Sequence, residues 1–200
     1  MIVGLTGSIA MGKSTAARYF AAEGVPVFAA DDAAHEIYGD PSAIEEVAKV
    51  FPAAIVGGAI DRQKLAATVL PDPQKLKALE AIIHPLVRQE REKFISRWKQ
   101  RNCPFVVLDI PLLFETGEEK AMDYTIVVSA PPEIQRARAL ARPGMTEEKL
   151  VNILARQMPD TEKRSRADFI LDSSGSVENL QVQVRKLVEK FRNSHRIRGA

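Results

Sequence analysis

Residues Gly7-Ser8-Ile9-Ala10-Met11-Gly12-Lys13-Ser14 set two glycines, a lysine and a hydroxyl in the spacing G-x-x-x-x-G-K-S/T. That spacing grips phosphate. The glycines let the backbone curl so that successive N–H groups turn inward onto phosphate oxygens, and a helix beginning near Lys13 adds the positive end of its dipole. Lys13 reaches the β- and γ-phosphates as a point charge, and Ser14 can place its hydroxyl on Mg²⁺. Ala10, Met11, Gly12, Lys13, Ser14 and Thr15 are therefore the candidate nucleotide-binding residues. Thr6, just before the loop, is either a polar strand end or a phosphate contact. The pattern points to a nucleoside triphosphate but does not separate switch, motor and kinase.

Carboxylates and guanidiniums supply the remaining charge chemistry. Asp31-Asp32 closes a second apolar run and Asp109 a third. In doubly wound sheets ligands sit at the carboxyl edge of the strands, where these acids would be delivered. Asp109 fits a carboxylate that holds Mg²⁺, directly or through water, or else a cap on the following turn. A kinase acting on an alcohol must hold the hydroxyl in line with the γ-phosphorus and accept its proton, and a nearby carboxylate does both. Asp31 and Asp32 are equal candidates on residue type, the other being the N-cap of a helix beginning at Ala33-Ala34. Gln135, Arg136, Arg138 and Arg142 fall on a helix expected over 133–142, with Arg138 and Arg142 on one face. Paired guanidiniums bind phosphates and neutralise transition-state charge. Pro143-Gly144 then breaks the helix, as a hinged lid requires; a solvated basic face is the alternative.

The elements that must position these groups read as apolar runs. Ile2–Thr6, Val25–Phe28, Pro104–Asp109, Tyr124–Val128 and Phe169–Asp172 are expected strands, solidly apolar rather than alternating. Strands of that kind are covered on both faces, hence a parallel sheet in an α/β fold. Helices are expected over 13–23, 133–142, 146–158 and 177–192; the last carries Val177, Leu180, Val184, Leu187, Val188 and Phe191 on one stripe. Between about Ala33 and Gln100 the pattern is helical, interrupted by prolines, and Pro85 predicts a kink or break. Asn193–Ala200 is basic and reads as a frayed tail.

Bulk properties narrow the class. At 200 residues the chain is one domain with room for a small insert, and it buries enough surface to need no staple. Its 28 basic and 26 acidic residues give a net charge of +2, too little to argue for nucleic acid or a membrane surface. The single Cys103 excludes a disulfide framework and suits a reducing compartment. No apolar run approaches the ~18 residues of a spanning helix, and the N-terminal run is too short for a signal segment. A cytoplasmic, soluble protein is expected.

The ordered set of motifs resembles the dephospho-CoA kinase family over essentially the whole chain. The resemblance rests on Gly4-Leu5-Thr6-Gly7-Ser8-Ile9 leading into the loop, Ala30-Asp31, Ile60-Asp61-Arg62 with Leu65, and Ile83-His84-Pro85. It continues with Pro111-Leu112-Leu113-Phe114-Glu115, Gln135-x-x-Arg138-x-x-x-Arg142 before Gln157, and Lys163-Arg164 leading to Ala167-Asp168-Phe169-Ile170. It implies transfer of phosphate from ATP, with Mg²⁺, to the ribose 3′-hydroxyl of dephospho-CoA, the last step of coenzyme A synthesis, in the cytoplasm. It implies a P-loop NTPase-type three-layer fold. The core, at about 1–32, 103–135 and 166–192, has a five-stranded parallel sheet, with a helical substrate-binding insert at about 33–102 and a small lid at about 136–165. By position Asp31 matches the general base, Lys13 and Ser14 the phosphate and metal residues, and Arg138 and Arg142 the lid arginines. Thr6, Arg62, His84, Leu113 and Glu115 lie where substrate contacts are expected. A monomer or weak homo-oligomer, with no nucleic-acid or membrane partner, goes with this reading.

The sequence departs from that family in four places. Ala10 stands where Gly is usual, which a negative φ accommodates. Ala29 replaces the first acid of an Asp-Ala-Asp segment, with Asp32 added after it. His35 stands where Arg is typical, which weakens a phosphate contact or makes it pH-dependent. Ser173 replaces an Asn near the expected adenine position, offering the base fewer hydrogen bonds. Two other classes share parts of the pattern. A nucleoside monophosphate or other small-molecule kinase differs only in acceptor, and a guanine-nucleotide switch would need Asn-Lys-x-Asp, which is not present.

Overall fold

Five apolar segments pair side by side in the computed structural model, which describes residues 1–198. They are β1 (Ile2–Thr6), β2 (Val27–Ala29), β5 (Val106–Asp109), β6 (Tyr124–Ser129) and β7 (Phe169–Asp172), in the order β2-β5-β1-β6-β7. All the registered pairs are parallel: Ile2 lies opposite Val106, Val3 opposite Tyr124 and Ile126 opposite Phe169. β1 is the central strand, and its two neighbours come from late in the chain. The central strands β1, β5 and β6 are buried almost throughout. β7 is one of the two edge strands and leaves Ile170 42% exposed.

Helices cover the sheet because each carries one apolar stripe. α1 (Lys13–Ala22) buries Ala16 and Phe20, and α9 (Val177–Arg198) buries Leu180, Val184, Val188 and Phe191 against the same core. Phe191 sits among the rings of Phe105, Tyr124 and Phe169, with centroids 5.2–5.5 Å away. Such ring contacts stabilise by about 0.5–1.5 kcal/mol each beyond their buried area. α6 (Pro132–Leu140), α7 (Glu147–Leu154) and α8 (Asp160–Arg166) complete this part.

The chain divides into two compact units, Ala29–Arg97 and the remainder. The smaller holds α2 (Ala30–Ile37), α3 (Pro41–Val50), the hairpin β3 (Ile55–Val56) and β4 (Ala59–Ile60), α4 (Arg62–Val69) and most of α5 (Pro73–Gln100). Its own core joins Ile37, Val47, Phe51, Leu65, Val69, Leu79 and Ile83.

Five expectations need correction. Val25 and Pro26 lie before β2, and β5 begins at Val106 rather than Pro104. α5 runs unbroken through Pro85; the proline removes one ladder donor, while Leu79 and Ile83 hold the segment in the core. The helix expected over 146–158 ends at Leu154, and α8 follows it. Pro159, an acidic first turn and a basic last turn are the start and dipole signals that mark α8. The basic tail is helical to Arg198; Gly199 and Ala200 lie outside the described residues.

Candidate functional site

The loop between β1 and α1 owes its shape to its glycines and to one residue that is not glycine. A Cβ at Gly7 would lie 2.7 Å from the Val128 carbonyl oxygen, so only hydrogen fits. Gly12 is the N-cap of α1 at φ 88°, and its carbonyl accepts from the Thr15 and Ala16 N–H groups at 3.0 and 3.1 Å. The Met11 N–H donates to the Ser8 carbonyl at 3.2 Å and closes the turn. Ala10 overturns the expectation of a negative φ: it stands at φ 61°. The left-handed region costs an alanine ~1–2 kcal/mol. Ala10→Gly would relieve that strain. It would also free unfolded-chain entropy worth ~0.4–1 kcal/mol and expose one methyl's worth of apolar contact, ~0.8 kcal/mol. These terms nearly cancel, so denaturant unfolding of Ala10→Gly is expected to give a stability within about 0.5 kcal/mol of the parent.

Side chains from distant elements hold the loop. Ile9 donates its N–H to Gln157 Oε1 at 3.0 Å and accepts from Gln135 Nε2 on its carbonyl at 2.9 Å. The Met11 carbonyl accepts from Ser173 Oγ at 2.8 Å. Ser173, expected beside the adenine, is thus a loop anchor. Arg138 donates to Ser173 Oγ at 3.1 Å and to its carbonyl at 2.7 Å, so the expected lid arginine joins the same network. Arg142 lies past the end of α6 and is exposed. The reading that placed it on one helix face with Arg138 fails there, because the residue before Pro143 is disfavoured in a helix. Arg136 pairs instead with Glu147.

The charges at the loop mouth are organised around Lys13. Its ammonium lies 2.5 Å from Asp109 Oδ1, and the Asp109 side chain is 8% exposed. An ammonium has three donors, so one carboxylate oxygen leaves capacity for phosphate. Ser14 is exposed at the first turn of α1 and Thr15 is half-buried behind it. A hydroxyl and a carboxylate are hard oxygen ligands of the kind Mg²⁺ takes while keeping waters and substrate phosphates. No cluster of three His, Cys, Asp or Glu side chains placed to hold a metal ion exists among the described residues. Thr6, fully buried, donates from Oγ1 to the Pro111 carbonyl at 3.0 Å. Leu113 is fully buried beside Gly4, where a Cβ would lie 2.8 Å from Leu113 Cδ2.

Glu115 is tied to the segment before α8. Its Oε1 accepts from the Met158 N–H at 2.7 Å and lies 2.8 Å from Lys163 Nζ. The Lys163 side chain is 0% exposed, and Nζ has no well-directed hydrogen bond, so the contact acts mainly through charge. Burial pushes the Glu115 carboxyl up, but the Lys163 ammonium and the Met158 N–H overcome this and hold it below its usual value. A depressed carboxyl contributes stability above its unfolded pKa, and that contribution is lost as pH falls through the folded value. Glu115→Gln leaves Lys163 buried without its counter-charge, and a loss of about 3–5 kcal/mol is expected at neutral pH. Glu115→Gln with Lys163→Met should be more stable than Glu115→Gln alone. Urea midpoints check both; a single variant as stable as the parent would remove the ion pair from the account.

In the smaller unit, Asp31 and Asp32 are both exposed in the first turn of α2, whose N-cap is Ala29. Neither acid is the N-cap, contrary to expectation: the helix starts three residues early, directly off β2. Two carboxylates then lie at the positive helix end. Arg62, on α4, donates to the His35 carbonyl at 2.7 Å, contacts the His35 ring and lies 5.5 Å from the Tyr38 ring centre. His84 is exposed on α5. The β3–β4 hairpin, turned by Gly57 and Gly58 at positive φ, was missed in the helical pattern expected over 33–100, although Gly-Gly is a tight-turn signal. The loop anchors Gln135, Gln157 and Ser173 had no such signal, because each is distant in sequence from the loop it touches.

A glycine loop joining a central parallel strand to a helix, with lysine and serine at the helix start and an acid ending the adjacent strand, defines a P-loop nucleotide-binding protein of the α/β class. Among the described residues no helix is long and apolar enough to cross a membrane. The family model for dephospho-CoA kinase (CoaE) matches residues 1–179, and the chain belongs to that family. It is 50% identical over 188 residues, 94% of each chain, to the dephospho-CoA kinase of Brucella melitensis. A Thermus thermophilus crystal structure superposes with a TM-score of 0.80 at 40% identity, covering 95% of this chain and 97% of that one. The dephospho-CoA kinase of Campylobacter jejuni gives 0.70 at 26% identity, covering 95% and 96%.

Proposed function

We propose that this protein transfers the γ-phosphoryl group of ATP to the ribose 3′-hydroxyl of dephospho-CoA, giving CoA and ADP. The observation that carries the reading is the family match across residues 1–179, because the loop alone speaks for a donor and not for an acceptor. The loop amides and Lys13 hold the triphosphate, and Lys13 neutralises charge that builds on the transferred group. Asp31 orients the acceptor hydroxyl and takes its proton. Arg138 and Arg142 add positive charge near the phosphates. Arg62, His84 and Glu115 serve the acceptor side. Ser14 and Asp109 would hold Mg²⁺, which when bound neutralises β- and γ-phosphate oxygens.

The same reading places the reaction in the cytoplasm, with the enzyme a monomer or weak homo-oligomer. The single Cys103 suits the reducing compartment this reading assigns. A coupled ADP-release assay with ATP, Mg²⁺ and a panel of acceptors tests the function. Dephospho-CoA is expected to be turned over far faster than AMP or shikimate. Preference for either of those acceptors would reassign the enzyme to another branch of small-molecule kinases.

A further inference from the structure

We propose that Gln135 and Gln157 form a two-sided clamp on Ile9 that fixes the phosphate loop in its binding shape, making both positioning residues for the donor nucleotide. The inference rests on the loop being the ATP site, as proposed above. Gln135 is 8% exposed and donates through Nε2 to the Ile9 carbonyl; Gln157 accepts the Ile9 N–H on Oε1. A trans peptide is planar, with its C=O and N–H pointing opposite ways. Tying down the Ile9 carbonyl therefore aims the Ala10 N–H in the reverse direction. Ser173 treats the Met11 carbonyl likewise and so aims the Gly12 N–H. The Ile9 N–H, by contrast, is already spent on Gln157.

The clamp also accounts for the left-handed Ala10. The Ile9 carbonyl belongs to the peptide that opens Ala10, so fixing that carbonyl constrains the Ala10 φ of 61°. A strained backbone persists only where its surroundings over-determine it. Here the surroundings are two amide side chains, and one of them is braced from behind. Gln157 adjoins Met158, whose N–H is held by Glu115, itself paired with Lys163.

The two glutamines make opposite demands, and this gives the test. Gln135→Glu replaces a donor with an acceptor facing the Ile9 carbonyl, whereas Gln157→Glu still accepts the Ile9 N–H. Steady-state kinetics with ATP and dephospho-CoA are run on parent, both variants and Gln135→Glu with Ala10→Gly. Gln135→Glu is expected to lower kcat/KM for ATP about tenfold to a hundredfold. The KM for dephospho-CoA should stay at the parental value, and the ATP defect should shrink at acidic pH, where the introduced carboxyl is protonated and donates again. Gln157→Glu, which keeps the acceptor, should lose clearly less kcat/KM for ATP than Gln135→Glu. Ala10→Gly should restore part of the Gln135→Glu defect, because glycine adopts the loop's φ without help. Should Gln135→Glu not fold, Gln157→Leu carries the same expectation for ATP. A folded Gln135→Glu enzyme (or Gln157→Leu in its stead) with parental kcat/KM for ATP, equal losses for both substrates, or no rescue by Ala10→Gly overturns the clamp alone. A folded parent that neither binds ATP nor phosphorylates dephospho-CoA overturns the functional reading, and the clamp with it.

Discussion

Asp31→Asn is expected to lower turnover by ~10²–10⁴ while the KM for ATP changes less than about threefold. The substitution keeps the side chain's shape and one acceptor oxygen but removes its charge and basicity. Asp31 sits in the first turn of α2, where a carboxylate interacts with the helix dipole for ~0.3–1 kcal/mol, too little for its loss to unfold the protein. The predicted deficit is therefore chemical. The proton of the acceptor hydroxyl no longer has a base, and the hydroxyl loses the group that aims it. Asp32→Asn, its neighbour in the same exposed turn, is the internal control and should keep turnover within about threefold. Single-turnover measurements at saturating ATP decide the matter. A near-normal Asp31→Asn beside an inactive Asp32→Asn would move the base by one residue.

Lys13→Met should reduce kcat by ~10²–10³, with a smaller rise in the KM for ATP. The ammonium stands at the loop mouth, held in place by Asp109. Its contribution grows as charge accumulates on the transferred group, so kcat suffers more than binding. Lys13→Arg should not restore activity. A guanidinium is a planar fork, and it would meet Asp109 in a two-point pairing that holds it away from the phosphates. ATP binding by calorimetry beside steady-state kinetics separates the two effects. A Lys13→Met enzyme within tenfold of parental kcat would show that the loop amides suffice alone.

The sheet and the loop could be read in advance because their signals are local. Ile2–Thr6 and Phe169–Asp172 are apolar runs with the predicted limits, and Gly7 to Ser14 is a contiguous pattern. Boundaries failed where tertiary packing outvoted a local rule, as when α5 carried Pro85 without ending. α2 began at Ala30 rather than at an acidic cap, because the chain turns directly out of β2. The sign of φ at Ala10 was not legible either. It depends on Gln135 and Gln157, which lie 126 and 148 residues from Ile9. Spacing motifs reveal which groups can do chemistry. The side chains that hold them still belong to the folded state.

The place of β1 at the middle of the sheet has a consequence for biogenesis. Its ladder partners begin at Val106 and Tyr124, so the first strand translated waits for the second half of the message. At ~5–20 residues emerging per second, that interval is roughly 5–20 s. The anchors of the phosphate loop, at Gln135, Gln157 and Ser173, emerge later still. A nascent chain therefore acquires its grip on ATP among its last events, and ribosome-bound fragments ending before Ser173 should carry the complete motif and yet retain no nucleotide.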